Sequence, residues 1–279
     1  MPRAQGTSLT RTNKSSSAKG PLFDTERFGQ HILKHHSTAS KIASLAPTDH
    51  VLEIGPDTGN LTVKILEQAQ KVTAVEADSR LAAELTKRVQ GKPGQRKLDL
   101  IIGDFVHAEL PAFDVCISNT PYQISSIIVF RLLSHRPLPR VAILMFQREF
   151  ALRLMAKEGT KLWSRLSANV QLYAKVDYLL KVGKSEFQPP PQVESSVVRI
   201  KPIYPPPSVR FEEFDGLNRI IFTRRNKTLR ANFKAKGIWA AANNVVKDCN
   251  IAETIDAVLT DTGNTEKRAA QLGVDELLK

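Results

Sequence analysis

Cysteine is nearly missing from this chain: Cys116 and Cys249 are the two in 279 residues. They lie far apart and form no CxxC pair, which excludes a disulfide framework and a thiolate metal site, so no metal is expected. Cys116 sits inside an apolar run and reads as a buried free thiol. No apolar stretch approaches the length that crosses a bilayer, which excludes a helical membrane anchor within these residues. The N-terminal stretch has cations, serines and threonines but no apolar core, so it does not read as a secretion signal. A reducing compartment is the expectation. Negative charge is also short. Asp and Glu number 28 against 40 Lys and Arg, a formal net charge of +12. That excess favours polyanions or anionic surfaces as partners and says nothing about fold.

What is there is enough chain for one large α/β domain and a smaller one. Residues 1–22 are almost free of apolar side chains and are expected to be a disordered basic tail. A short helix is expected over 38–46. Strand and helix then alternate at short spacing. HVLEIG, KVTAVEAD, LDLIIGDF, FDVCISN and VAILMFQ read as strands. LTVKILEQAQ, RLAAELTKRVQ and residues 123–134 carry helical spacing between them. The alternation predicts a mostly parallel sheet covered on both faces by helices. Residues 147–170 look helical, VDYLLKVG and SSVVRIKPI look like later strands, and FQPPPQVES between them reads as a rigid loop. IYPPPS (203–208) is a second proline break. It divides the chain into an α/β domain over 23–204 and a helical domain over 205–279.

Chemistry gathers at the strand ends. VLEIGPDTGNLT puts Glu53, Gly55, Asp57 and Gly59 where a first strand leads into a helix, the place where doubly wound sheets bind ligands. Glu76 ends the next strand, 21 residues after Gly55, a spacing that suits a carboxylate on a ribose diol. Asp57 occupies the middle glycine position of the dinucleotide fingerprint, so an adenosine cofactor without phosphates fits better. Asp104 ends the third strand and can accept from an adenine amine. Any one of these is an ordinary turn glycine or solvated strand end. The four at successive strand ends make a site. The carboxylate of Asp57 leaves three arrangements open: pairing with a cofactor ammonium, repelling a cofactor carboxylate, or pointing to solvent.

Asn119-Thr120-Pro121-Tyr122 follows the fourth strand. An amide oxygen can accept from an exocyclic amine, the proline fixes the local backbone, and the tyrosine face can stack on a base. The tetrapeptide therefore suits a flipped, planar ligand that bears an amine. Taken alone, it is equally a proline-containing loop after a core strand.

Larger segments carry a family. RFGQHIL (27–33), LEIGPDTGNLT (52–62), VEAD (75–78), GDF (103–105), NTPYQISS (119–126), MFQREFALRL (145–154), RLSANVQL (165–172), FQPPPQVESSVVRI (187–200) and RRNKTLRANFK (224–234) together resemble the ribosomal RNA adenine N6,N6-dimethyltransferases, with wording closer to the eukaryotic branch. The resemblance implies a Rossmann-like class I methyltransferase domain with a smaller C-terminal helical domain. It implies transfer of methyl groups from S-adenosyl-L-methionine to N6 of two adjacent adenosines near the 3′ end of small-subunit ribosomal RNA. Gln30, His31 and Leu33 then fall in the segment beside the cofactor, with Glu53, Gly55, Asp57, Gly59, Glu76, Asp104 and Asn119 around it. Asn119, Pro121 and Tyr122 hold the target amine, and Phe187 supplies a second aromatic near the base. The family usually has glycine where this chain has Asp57.

Lys157, Lys161, Arg165, Arg224, Arg225, Lys227, Arg230 and Lys234 are candidates for one RNA-facing surface, contacting backbone phosphates rather than reading sequence. Each alone is as readily a solvated helix face. The implied partners are small-subunit rRNA, the pre-ribosomal particle and its assembly factors, with no membrane. The implied location is the nucleus and nucleolus, and the implied state a monomer. Two other readings stay open: methylation of adenine in another nucleic acid, and an assembly factor that binds RNA without methylating it.

Overall fold

A computed structural model of the chain describes residues 32–33, 45–235 and 251–279. The expected helix over 38–46 lies outside these residues except for its last two, and the basic tail, Gln30 and His31 lie outside them as well. A short strand β1 (Ile32–Leu33) comes first. The expected alternation follows: β2 (His50–Ile54), α1 (Thr62–Gln68), β3 (Lys71–Glu76), α2 (Ser79–Val89), β4 (Leu98–Ile102), β5 (Val115–Asn119), α3 (Ser125–Ser134) and β6 (Val141–Gln147). Then come α4 (Arg148–Leu154), α5 (Arg165–Tyr173), β7 (Ala174–Val182), β8 (Phe187–Gln188) and β9 (Ser195–Pro202). The C-terminal part holds α6 (Phe211–Ile221), α7 (Leu229–Phe233), α8 (Ile251–Asp261) and α9 (Val274–Leu277).

The main sheet has seven strands in the order β4-β3-β2-β5-β6-β9-β7. The strands from β4 to β6 are parallel, and β9 and β7 add antiparallel pairs at one side. This is the Rossmann-like α/β core expected, with its helices on both faces. Successive side chains on a strand point to opposite faces. Val51, Val115, Ile143 and Met145 therefore pack with Ile65 and Leu85 on one side. Leu52, Cys116, Leu144 and Phe146 pack with Ile128, Val129 and Val170 on the other. Every residue of β6 except Gln147 is buried, which is why its sequence is apolar without alternation.

The single helical stretch expected over 147–170 is instead two helices. Gly159 takes a left-handed φ of 78°, and the chain turns through Lys157–Thr160 before α5 begins. Ser167 restarts the helix by accepting the Ser164 N–H on its hydroxyl at 3.2 Å. The FQPPPQVES segment also departs from a plain loop, because β8 pairs antiparallel with β1.

Helix α5 serves two cores. Val170 packs under the sheet. Ala168 and Leu172 join Trp163, Phe214, Ile221, Leu229 and Leu259 in a third cluster built with the C-terminal helices. Between α5 and α6 lies a buried polar chain. Asn218 Nδ2 donates to Asn169 Oδ1 at 2.7 Å, and Asn169 Nδ2 donates to Asp215. Both asparagines are fully buried. Removing one partner of such a chain strands the other in a dry interior. Asn169→Ala is expected to lower stability by about 1–3 kcal/mol, read as a lower urea midpoint with an unchanged m-value.

Candidate active site

The parallel strands end at one level, and their ends are tied together. Gly55 N–H donates to the Val75 carbonyl at 2.9 Å, and Gly103 N–H to the Glu76 carbonyl at 2.8 Å. Ser118 Oγ donates to the Ile54 carbonyl. The first bond and the last bring the ends of β3 and β5 against the end of β2. The loop after β2 then bends through Gly55 (φ 64°), Asp57 (φ 53°) and Gly59 (φ 85°). Gly59 is required by packing as well as conformation, because a Cβ there would lie 2.5 Å from Leu85 Cδ1 on α2.

The carboxylates meet at this loop. Glu76, 4% exposed, accepts the Asp57 N–H on Oε2 at 3.1 Å and the Asp78 N–H on Oε1 at 2.9 Å. Glu53 is 1% exposed, and its Oε2 has no hydrogen-bond partner among the described residues. Burial, with the Glu76 charge adding to it, pushes the Glu53 carboxyl up to about 8. Burial also raises Glu76, and it raises Asp57 well above the usual carboxylate range, with the Glu76 and Glu53 charges next in weight. Asp104, in contrast, is exposed, and its Oδ1 accepts the Val106 N–H at 2.9 Å.

On the other side of the loop stands the Asn119–Tyr122 turn. A Cβ on Gly55 would come 3.5 Å from Pro121 Cδ, so the glycine loop and the turn are in contact distance. Thr120 is buried, and its hydroxyl donates to the Met145 carbonyl at 2.6 Å, pinning the turn to β6. Asn119 is half-buried at the last position of β5. The Pro121 carbonyl accepts the Ile124 N–H at 3.2 Å and keeps a second lone pair. The half-buried Tyr122 shares a hydrogen bond of 2.6 Å with Ser195 Oγ at the start of β9, and burial pushes its phenol up to about 12. The sequence offered no sign of this Tyr122–Ser195 anchor, because the two residues are 73 apart.

The other expected site residues divide. Leu33 pairs in register with Phe187, linking the segment before β2 to the loop before β9. Phe187 is fully buried among Val182, Val197 and Met145. It is packed into the core in this conformation and presents no open aromatic face. The eight expected cations differ in their partners. Arg165 pairs with Asp215 at 3.6 Å, Arg230 with Asp256 at 2.9 Å and Lys234 with Asp256 at 3.8 Å. Arg225 donates to the carbonyls of Lys161 at 2.7 Å and Trp163 at 2.8 Å. Arg224 donates to the Ala231 carbonyl. Lys157, Lys161 and Lys227 stay exposed without an ion pair among the described residues. The Arg225 bonds, with Gly159 N–H on the Ala270 carbonyl at 2.7 Å, bring the 157–163 loop beside the 224–227 turn.

The donor set fits an adenosine cofactor with a cationic amino-acid part. Two left-handed glycines open the loop, a buried carboxyl oxygen has no hydrogen-bond partner among the described residues, and none of the loop residues 55–60 carries positive charge for a phosphate. The same carboxyl gives a pH signature. Glu53 binds its proton more tightly folded than unfolded, so the empty protein is expected to lose stability as pH rises from about 4.5 through about 8. Glu53→Gln should flatten that fall, as read from urea midpoints taken across the range.

The family model for ribosomal RNA adenine dimethylase matches residues 24–265. A dimethyladenosine transferase of Schizosaccharomyces pombe is 54% identical, with 90% of this chain and 87% of that protein covered. One from Saccharomyces cerevisiae is 50% identical over 96% of this chain and 92% of its own length. Among solved structures, a dimethyladenosine transferase from Plasmodium falciparum superposes with a TM-score of 0.79 at 39% identity, covering 89% of this chain and 95% of that one. The 23S rRNA methyltransferase ErmE superposes at 0.64 with 26% identity, covering 88% and 96%. With that extent of match and this arrangement of strand ends, the chain belongs to the ribosomal RNA adenine dimethylase family, enzymes that take their methyl group from S-adenosyl-L-methionine.

Proposed function

We propose that this chain methylates N6 of two adjacent adenosines near the 3′ end of small-subunit ribosomal RNA to N6,N6-dimethyladenosine, during small-subunit assembly. The observation that carries this reading is the contact between the Gly55 loop and Pro121, which sets an amine-holding turn against a cofactor loop. Glu53, Gly55, Asp57, Gly59 and Glu76 would hold the cofactor, with Asp104 at its adenine side. When bound, the cofactor supplies an electrophilic methyl group on a positive sulfur.

The chain's own residues do the rest. The target base leaves its stack and enters beside Tyr122, where it stacks on the tyrosine face. The Tyr122–Ser195 bond holds that ring in place. The Asn119 side-chain oxygen and the Pro121 carbonyl accept from the two N6 hydrogens. They stabilise the positive charge that develops on nitrogen during in-line attack. No strong base stands in the Asn119–Tyr122 turn, so the rate rests mainly on orientation. The proton leaves after transfer, when the nitrogen has become acidic. A second round on the monomethyl product gives the dimethylated base.

Residues 23–204 would form the methyl-transfer domain and 205–279 the helical part that meets RNA. Lys157, Lys161, Arg224 and Lys227 would contact phosphates on the surface where the 157–163 loop and the 224–227 turn adjoin. Arg165, Arg225, Arg230 and Lys234 also hold partners within the chain. The partner would be a pre-ribosomal particle with its assembly factors, and the place the nucleus and nucleolus.

Asn119→Ala is expected to lower methyl transfer to immature small subunits by about 100-fold or more while RNA affinity changes little. Unchanged turnover would remove Asn119 from the chemistry. Replacing Lys157, Lys161 and Lys227 together with Gln should weaken RNA binding and reduce the slope of log affinity against log salt by about one per lost phosphate contact. Filter binding over a salt series reads both.

A further inference from the structure

The loop after β2 carries one residue that its backbone does not suit. Asp57 lies in the left-handed region, the one non-glycine residue with positive φ among those described. Aspartate tolerates that region better than most side chains, yet glycine is at ease there. The position also gathers like charge. The Asp57 N–H is held by Glu76 Oε2 at 3.1 Å, and Glu53, whose charge acts on Asp57 and which feels that of Glu76, has an oxygen without a hydrogen-bond partner among the described residues.

The charged groups around the cluster do not neutralise it. Asp78, at the start of α2, is taken up by Arg80 at 2.7 Å. Arg88, from the end of α2, donates to the Thr58 carbonyl at 3.1 Å and to Asn60 Oδ1 at 2.6 Å. On β5, behind Glu53, is the Cys116 thiol, which burial pushes up and keeps neutral. No Lys or Arg forms an ion pair with Glu53, Asp57 or Glu76 among the described residues. Three neighbouring carboxyls, Glu53 and Glu76 buried and Asp57 half-buried, resist being ionised all at once without a counter-charge. Burial and the two glutamates accordingly favour the protonated form of Asp57 in the empty loop.

We propose that Asp57 couples cofactor binding to proton release, the cationic cofactor replacing a proton that the Glu53–Asp57–Glu76 cluster holds when empty. The proposal rests on the loop being the cofactor site. A ligand with a positive sulfur and an ammonium supplies a counter-charge that the described residues do not. Its affinity rises with pH through neutrality, by about tenfold per pH unit for each proton displaced. The spent cofactor, S-adenosylhomocysteine, lacks the sulfur charge and displaces fewer protons. Asp57 thereby widens the preference for fresh over spent cofactor, a preference that glycine at this position does not provide.

The test is calorimetric titration of both cofactors into the full chain and into Asp57→Asn and Asp57→Gly, in buffers of different ionisation enthalpy across neutral pH. Asn keeps the size without the charge, and Gly suits the left-handed backbone, so at least one variant keeps the loop; thermal melts check both. The unaltered chain should release protons on binding S-adenosylmethionine, and fewer on binding S-adenosylhomocysteine. Both variants should release fewer and show a flatter pH dependence and a smaller preference for the charged cofactor. An unchanged proton count in both variants, with binding retained, overturns the role of Asp57. Failure of the site reading is distinct: Glu76→Ala would then bind the cofactor as tightly as the unaltered chain.

Discussion

The hydrogen bonds that run one step beyond the parallel ladder hold this site together. Gly55 on Val75 and Gly103 on Glu76 join the residue after a strand to the neighbouring strand, and the Ser118 side chain, one before the end of β5, joins it to Ile54. Without them the loops would leave the sheet at independent angles. With them, a carboxyl cluster and an amide-bearing turn are set side by side, although Glu53 and Asn119 come from different crossovers. Both flanking faces of the sheet are dry, so the strands cannot slip in register without exposing one of two apolar clusters.

Much of this was legible in the residues. β2, β3, β5 and β6 are short, largely apolar runs bounded by turn residues, and burial on both faces is what makes such runs apolar. The site residues at strand ends were legible for the same reason, since polar side chains interrupt an apolar run only where it leaves the core. The break between α4 and α5 was harder to see. Leu154, Trp163 and Ala168 keep an apolar rhythm across it, but they serve two different cores. The β1–β8 pair was hidden because two-residue strands leave no pattern to read.

Aromatic and basic residues were the least legible, and for one reason: their role depends on partners far along the chain. Phe187 stands in a proline-rich segment that looks exposed, yet the sheet covers it completely. Arg225 and Arg230 look like two more members of a basic stretch. One spends its guanidinium on loop carbonyls and the other on Asp256. The formal charge of +12 therefore does not say which cations stand free of a partner.

The two-faced packing of α5 has a consequence for how this architecture can be recombined. Its outer side chains belong to the C-terminal helices and its inner ones to the sheet, with Asn169 bridging to Asp215 and Asn218. A chimera joined at the Pro205–Pro207 break would part that asparagine from the partners it evolved with. Exchange between relatives should succeed only when α5 and α6 travel as a matched pair, so the inheritable unit is the interface and not the stretch of chain after the prolines.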